Sequence, residues 1–130
     1  MNEYENMMSE GYYNALYGKL EDINFQYDLE EFTKIFKRVS SEKKYAYITY
    51  VIAKSETPDL HILICDFLLY TDLFFHDMYT VQKWHLKRAL EISPNNKQVL
   101  QWITCTFNDN PSSPFSEEEL IAYNNLLKAL

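Results

Sequence analysis

Tyr45-Ala-Tyr-Ile-Thr-Tyr-Val-Ile-Ala53 is the stretch of this sequence that decides between an all-helical and a mixed fold. This apolar run is rich in β-branched and aromatic residues, so it suits a buried strand as well as a buried helix. A strand here would need partners, and no second segment has a comparable strand pattern. Because the neighbouring segments have helical spacing, we favour a buried central helix and keep a strand as the alternative.

Residues that favour helix starts divide the rest of the chain. Asp28 can cap a helix while Glu31 reaches back to it, and Ser116 followed by three glutamates forms a similar capping box. Thr57-Pro58 and Ser93-Pro94 place a proline at a first helical position, where its missing N–H costs nothing. With apolar residues repeating every three or four positions, these signals predict seven helices at about 3–21, 29–40, 42–55, 58–71, 73–92, 94–108 and 117–129.

Length and composition predict a single all-α domain over residues 1–130. A chain of 130 residues can bury one sizeable core, and its two glycines are too few for the many tight turns of a β-rich fold. We expect an irregular helical bundle or a short solenoid of antiparallel helices. Its predicted core comprises Leu16, Leu20, Phe32, Ile35, Phe36, Ile48, Val51, Ile52, Leu63, Phe67, Val81, Leu86, Leu90, Leu100, Ile103, Leu120 and Leu127.

The charge of the chain is concentrated near its N-terminus. The formal net charge is -7, and the first 31 residues carry eight carboxylates and one lysine while the rest is neutral in sum. Such a segment repels phosphate and steers basic protein surfaces toward itself. The predicted partner contacts, with carboxylates pairing to cations and tyrosines filling pockets, are Tyr4, Glu5, Glu10, Tyr13, Glu21, Asp22, Asp28, Glu30 and Glu31.

A plainer interpretation of the same segment stays open. Tyr13, Leu16, Tyr17 and Leu20 have the spacing of a buried helical stripe, and the acids could simply be its solvated outer face. A mild basic cluster from Lys34 to Lys44 could also pair with these acids and weaken their field.

Metal and catalytic sites have little support in the sequence. His61, Cys65 and Asp66 lie close together, and His76 with Asp77 lies one helix later, but no complete zinc ligand set follows. Cys65 and Cys105, without ligand spacing, are expected to be buried small hydrophobes. We therefore expect no catalytic residue, no metal site and no cofactor, although a small enzyme that uses His61, Cys65 or His85 remains an alternative.

The same composition argues against nucleic acid and membrane partners. Net negative charge disfavours binding to phosphates. No apolar stretch reaches the roughly 18 residues that span a bilayer, and the acidic N-terminus lacks the pattern of a signal peptide. We expect a cytoplasmic protein.

Two resemblances add to this picture. The segment from Ala89 to Asn96, Ala-Leu-Glu-Ile-Ser-Pro-Asn-Asn, resembles the end of a tetratricopeptide repeat, which implies an antiparallel helical hairpin and, as one alternative, an adaptor that holds a peptide in a groove. The whole chain, by its length, acidity, aromatic content and lack of a catalytic motif, resembles the immunity proteins encoded beside bacterial polymorphic or contact-dependent toxins. That resemblance implies a protein that binds a cognate toxin, often a basic nuclease, and blocks its active site.

Overall fold

The computed structural model describes residues 1–71 and 77–130, and these ranges form helices and connecting turns without any strand. The run Tyr45–Ala53 lies entirely within the fourth helix, which confirms the all-α fold. The helices of the described ranges are α1 (Glu3–Glu10), α2 (Tyr13–Asp22), α3 (Leu29–Ile35), α4 (Ser41–Lys54), α5 (Pro58–Tyr70), α6 (Met78–Ile92), α7 (Lys97–Phe107) and α8 (Glu117–Ala129). The first four residues of the predicted helix at 73–92 lie outside the described residues.

The predicted first helix, 3–21, is wrong because it is two helices. Gly11 follows the end of α1 with φ +82°, a left-handed conformation that favours glycine, and its N–H donates to carbonyls of the last turn of α1. The chain then turns and begins α2 at Tyr13. Gly11 is the sequence signal for this break, because a glycine at this position is the usual residue after a helix end.

The turn between α6 and α7 also differs from the prediction. α7 does not begin at Pro94; its cap is Asn96, whose side-chain oxygen accepts a hydrogen bond from Val99 N at 3.1 Å. The Asn96 N–H donates to Ser93 O at 3.1 Å, so the Ser-Pro-Asn-Asn segment is a tight turn and not the first helical turn. The predicted helical hairpin is retained, with a longer connection.

Three other start signals are confirmed. Ser116 and Glu119 form the reciprocal capping box, and Thr57 caps α5 with Pro58 at its first position. Asp28 accepts from Glu31 N at 2.9 Å, but Glu31 does not reach back, because its carboxylate lies beside Lys34 instead. α3 also ends at Ile35, several residues before the predicted limit.

The core forms around α5. This helix packs most closely against α6 and also contacts α3, α4 and α7, so most of its side chains are buried. Eleven of the predicted core residues are buried, while Ile35, Ile52, Val81, Leu90 and Leu120 are partly buried against them and Leu127 is partly buried nearer the surface. In the described part of the chain, no helix has both the length and the apolar character needed to cross a membrane.

Candidate functional site

The structure assigns the predicted contact carboxylates to different environments. Glu10, Glu21, Asp22, Asp28 and Glu30 are exposed, and Glu31 is partly exposed. Lys34 lies 3.5 Å from Glu30 and 3.4 Å from Glu31, so these two acids are partly neutralised by their own helix. The carboxylates of the acidic segment are therefore not equally available to a partner.

Glu5 is not available to a partner, which corrects its prediction as a surface contact. Its side chain is 3% exposed, and its two carboxylate oxygens accept from Asn2 N at 2.9 Å and Arg38 N at 2.6 Å. These backbone donors lower the pKa of Glu5 against the opposing effect of burial. Glu5 thus completes the capping box of α1 and ties that helix to the end of α3.

The tyrosines predicted as partner contacts pack against the core more than they project into solvent. The Tyr13 ring meets the ring of Tyr47 edge-on at 5.5 Å and lies 5.6 Å from that of Tyr50. Tyr4 and Tyr13 are both partly buried against the core. The buried-stripe interpretation therefore describes α2 correctly, since Leu16 and Leu20 are fully buried.

A cleft of about 690 Å³ brings two of the predicted acids together with two that the sequence analysis did not select as contacts. Glu21 and Asp28 reach it from α2 and the start of α3, whereas Asp59 and Asp66 reach it from α5. Its remaining wall includes the aromatic side chains of Tyr17, Phe25 and Tyr27, and its floor includes buried Leu60 and Leu63. Within residues 1–71 and 77–130, none of the four cleft carboxylates forms an ion pair.

Asp66 has the most perturbed environment of the four. It is partly buried, and Trp102 Nε1 donates to its Oδ1 at 2.7 Å. Burial raises the pKa of Asp66 despite that hydrogen bond. A cation in the cleft would stabilise the ionised form, so binding a basic group here would recover free energy that the folded chain loses by desolvating this carboxylate.

The aromatic wall is held rigidly by its own contacts. The Phe25 and Tyr27 rings meet edge-on at 4.9 Å, and the Tyr27 hydroxyl shares a hydrogen bond of 3.0 Å with that of Tyr47. Burial raises the pKa of Tyr27 to about 12. Tyr17 already carries a cation on its ring, because Lys54 Nζ lies 5.0 Å from the ring centroid.

A second group of ionisable residues lies at the start of α5, and none of its members lines this cleft. The Arg88 guanidinium binds both carboxylate oxygens of Glu56, at 2.8 and 2.9 Å, and with His61 it lowers the pKa of Glu56 to about 2. His61 Nε2 lies 2.7 Å from a Glu56 carboxylate oxygen, and His61 Nδ1 lies 2.8 Å from His85 Nδ1, so the two imidazoles share a hydrogen bond. This chain of bonds links α5 to α6 through two buried imidazoles.

The thiols differ from each other, which corrects the expectation that both are buried. Cys65 is fully buried, its thiol lies 3.6 Å from Gln82 O, and burial raises the pKa of this thiol. Cys105 is exposed on α7. In the described residues no group of three His, Cys, Asp or Glu side chains could hold a metal ion, and His76 lies outside those residues.

Comparison of the chain with protein families, with curated proteins and with solved structures found no match. The site is therefore defined by geometry alone. The sequence did contain a signal for Asp59 and Asp66 as members of the site. They are seven residues apart, so they lie on one face of an otherwise strongly apolar helix.

Proposed function

We propose that this protein is an immunity protein that binds a cognate toxin, a basic nuclease, in a stoichiometric complex and blocks its active site. The observation that carries the proposal is the cleft in which Glu21, Asp28, Asp59 and Asp66 line a wall shared with aromatic rings. Nucleases hold phosphates with lysine and arginine, and a surface that presents several carboxylates together competes for those cations.

Physical reasoning supports a contact at the cleft over one at the exposed face of α3. Glu30 and Glu31 already share Lys34, so part of their charge is neutralised within their own helix. Glu21, Asp28 and Asp59 are also exposed, but within the described residues none of the four cleft carboxylates is paired, and their charges meet on one concave surface, which concentrates the field that draws a cationic partner. Rigid aromatic rings beside them supply contact area at small entropic cost.

The test is an affinity capture from the source cell with charge-matched variants. Glu21→Lys with Asp59→Lys reverses two cleft charges, one of them in the first turn of a helix. Asp109→Lys with Glu118→Lys makes the same change at two exposed positions away from the cleft lining, again with one in a first helical turn. We expect the unmodified protein and the control to capture one basic protein at a ratio of one to one and to inhibit its nuclease activity, and the cleft variant to do neither.

Other outcomes would contradict the proposal. Capture of several unrelated chains by the unmodified protein would indicate a peptide-binding adaptor, the alternative suggested by the tetratricopeptide-like turn after α6. Capture of no basic protein by any form would exclude the immunity function. Equal capture by all three forms would move the interface away from the cleft.

A further inference from the structure

A second, shallower cleft of about 450 Å³ continues the first one along α5. The two clefts share Ile62, Asp66 and Gln98, so together they form a single groove along α5, bordered by residues 17–28 at one end and by α7 at the other. At its far end the groove is lined by Leu69, Tyr70 and Trp102 in place of acids. The groove is therefore acidic at one end and apolar at the other.

One face of α5 forms the base of this groove. Asp59, Ile62, Asp66 and Tyr70 follow one another at intervals of three and four residues, which places them in one row along the helix. From Asp59 to Tyr70 the row is about 16 Å long, and its two carboxylates are about 10 Å apart along the axis. Tyr70 is 77% exposed, which is unusual for an aromatic ring that continues a buried helix.

The opposite wall has the same periodicity. Gln98, Gln101, Trp102 and Cys105 form a row on α7 with helical spacing. The α5 row is about three helical turns long and the α7 row about two, and the groove beside them fits a third helix laid along α5. A single helix is long enough to fill this groove, so binding does not require a larger globular surface.

We propose that this groove binds an amphipathic helix of the partner protein, with two basic side chains seven residues apart that pair with Asp59 and Asp66 and a bulky apolar side chain that packs on Tyr70. The proposal rests on the proposed function, since it names the element of the toxin that is recognised. Charge complementarity selects the occupant: the acidic end of the groove disfavours an acidic or neutral helix, and the apolar end distinguishes an amphipathic helix from a simple polycation.

The proposal is tested by titrating the whole protein against a fluorescein-labelled, alanine-based helical peptide of 14 residues. The peptide carries arginines seven residues apart and leucine and phenylalanine beyond them, and fluorescence anisotropy reports binding. Asp59→Asn with Asp66→Asn removes the two groove charges that α5 carries and keeps an acceptor for Trp102. Glu30→Gln with Glu31→Gln removes two charges outside the groove. Thermal unfolding verifies that each variant is folded.

We expect the groove variant to bind the peptide at least tenfold more weakly than the unmodified protein, and the α3 control to change affinity less than twofold. Tyr70→Ala should weaken binding severalfold, and so should replacing the apolar residues of the peptide by alanine. Equal affinities for the groove variant and the control would overturn the inference, as would a peptide without apolar residues that binds equally well or an unmodified protein that does not bind.

This result is separable from the test of the proposed function. If a basic toxin is captured but its capture and the peptide titration are both insensitive to Asp59 and Asp66, the immunity function stands and the groove assignment fails. If the peptide binds in a groove-dependent way but no basic protein is captured, the groove assignment stands and the immunity function fails.

Discussion

Lowering the pH from 7.5 to 5 should destabilise this protein through His85. Burial and the neighbouring His61 ring lower the pKa of His85 to about 4 against the attraction of Glu56, whereas a histidine in an unfolded chain titrates near 6.5. The groups that face His85 are His61 and Glu56 from the α5 side and Trp84 and Arg88 from α6. The folded state therefore excludes a proton that the unfolded state accepts.

The sign and size of the effect follow from this difference. Between pH 6.5 and about 4 the unfolded chain binds more protons than the folded one, so the free energy of unfolding falls as the pH falls. With these two pKa values, the His85 contribution is negligible at pH 7.5 and amounts to a loss of about 2 kcal/mol at pH 5. That is a large share of the stability of an ordinary domain of this size.

Urea unfolding at pH 7.5, 6 and 5 measures this loss, with His85→Asn as the matched variant. The asparagine amide can still share a hydrogen bond with His61 Nδ1, but it does not titrate. We expect the unmodified protein to lose about 2 kcal/mol more than the variant over this range. Groups that do not contact His85, including Asp66, titrate alike in both proteins and cancel in the comparison. Equal pH dependence in the two proteins would refute the assignment of the lowered pKa to His85.

Three further predictions concern single side chains. Gly11→Ala should lower the free energy of unfolding by about 1–2 kcal/mol, because Gly11 has a left-handed φ of +82°. Gly18→Ala should raise the free energy of unfolding by about 0.5–1 kcal/mol, because Gly18 lies inside α2 and an added Cβ would meet no atom within 4 Å. Chemical denaturation measures both changes. Glu5→Ala should cost about 1–3 kcal/mol by leaving two backbone N–H groups without their acceptor, and Glu10→Ala, an exposed glutamate in the same helix, should change stability far less in the same assay. One thiol, Cys105, should react with a thiol reagent in the native protein and two in denaturant; reaction of both thiols at equal rates in the native state would contradict the burial of Cys65.

Local features of the sequence predicted local structure well. The Thr57-Pro58 pair and the Ser116 capping box mark helix starts because their hydrogen bonds close within four residues and need no distant partner. The helix start predicted from Ser93-Pro94 was wrong because Asn96, three residues later, is an equally good cap, and α7 begins directly after Asn96. Choosing between two adjacent caps depends on how α7 packs, which local preference does not determine.

The candidate site was only half predictable. Glu21 and Asp28 stood out because the N-terminal excess of acids is visible in the composition. In the sequence, Asp59 is an ordinary first-turn acid next to Pro58, and Asp66 is a neighbour of His61 and Cys65. Neither pattern by itself indicates a partner-binding site. Their role depends on where α5 lies relative to α2 and α7, and such long-range placement is not encoded in the spacing of any one helix.

The acidic N-terminal segment shows why net charge alone is a poor guide to where a partner binds. The Glu5 carboxylate accepts hydrogen bonds from two backbone N–H groups, and Glu30 and Glu31 share Lys34. Part of the excess negative charge is therefore already stabilised by contacts within the chain. Glu21 and Asp28 instead line a cleft with Asp59 and Asp66, and within the described residues none of these four carboxylates forms an ion pair. The field that a cationic partner meets is therefore focused at this cleft, away from the first helix, and charge reversal at Glu21 should slow association more than the same reversal at Glu10.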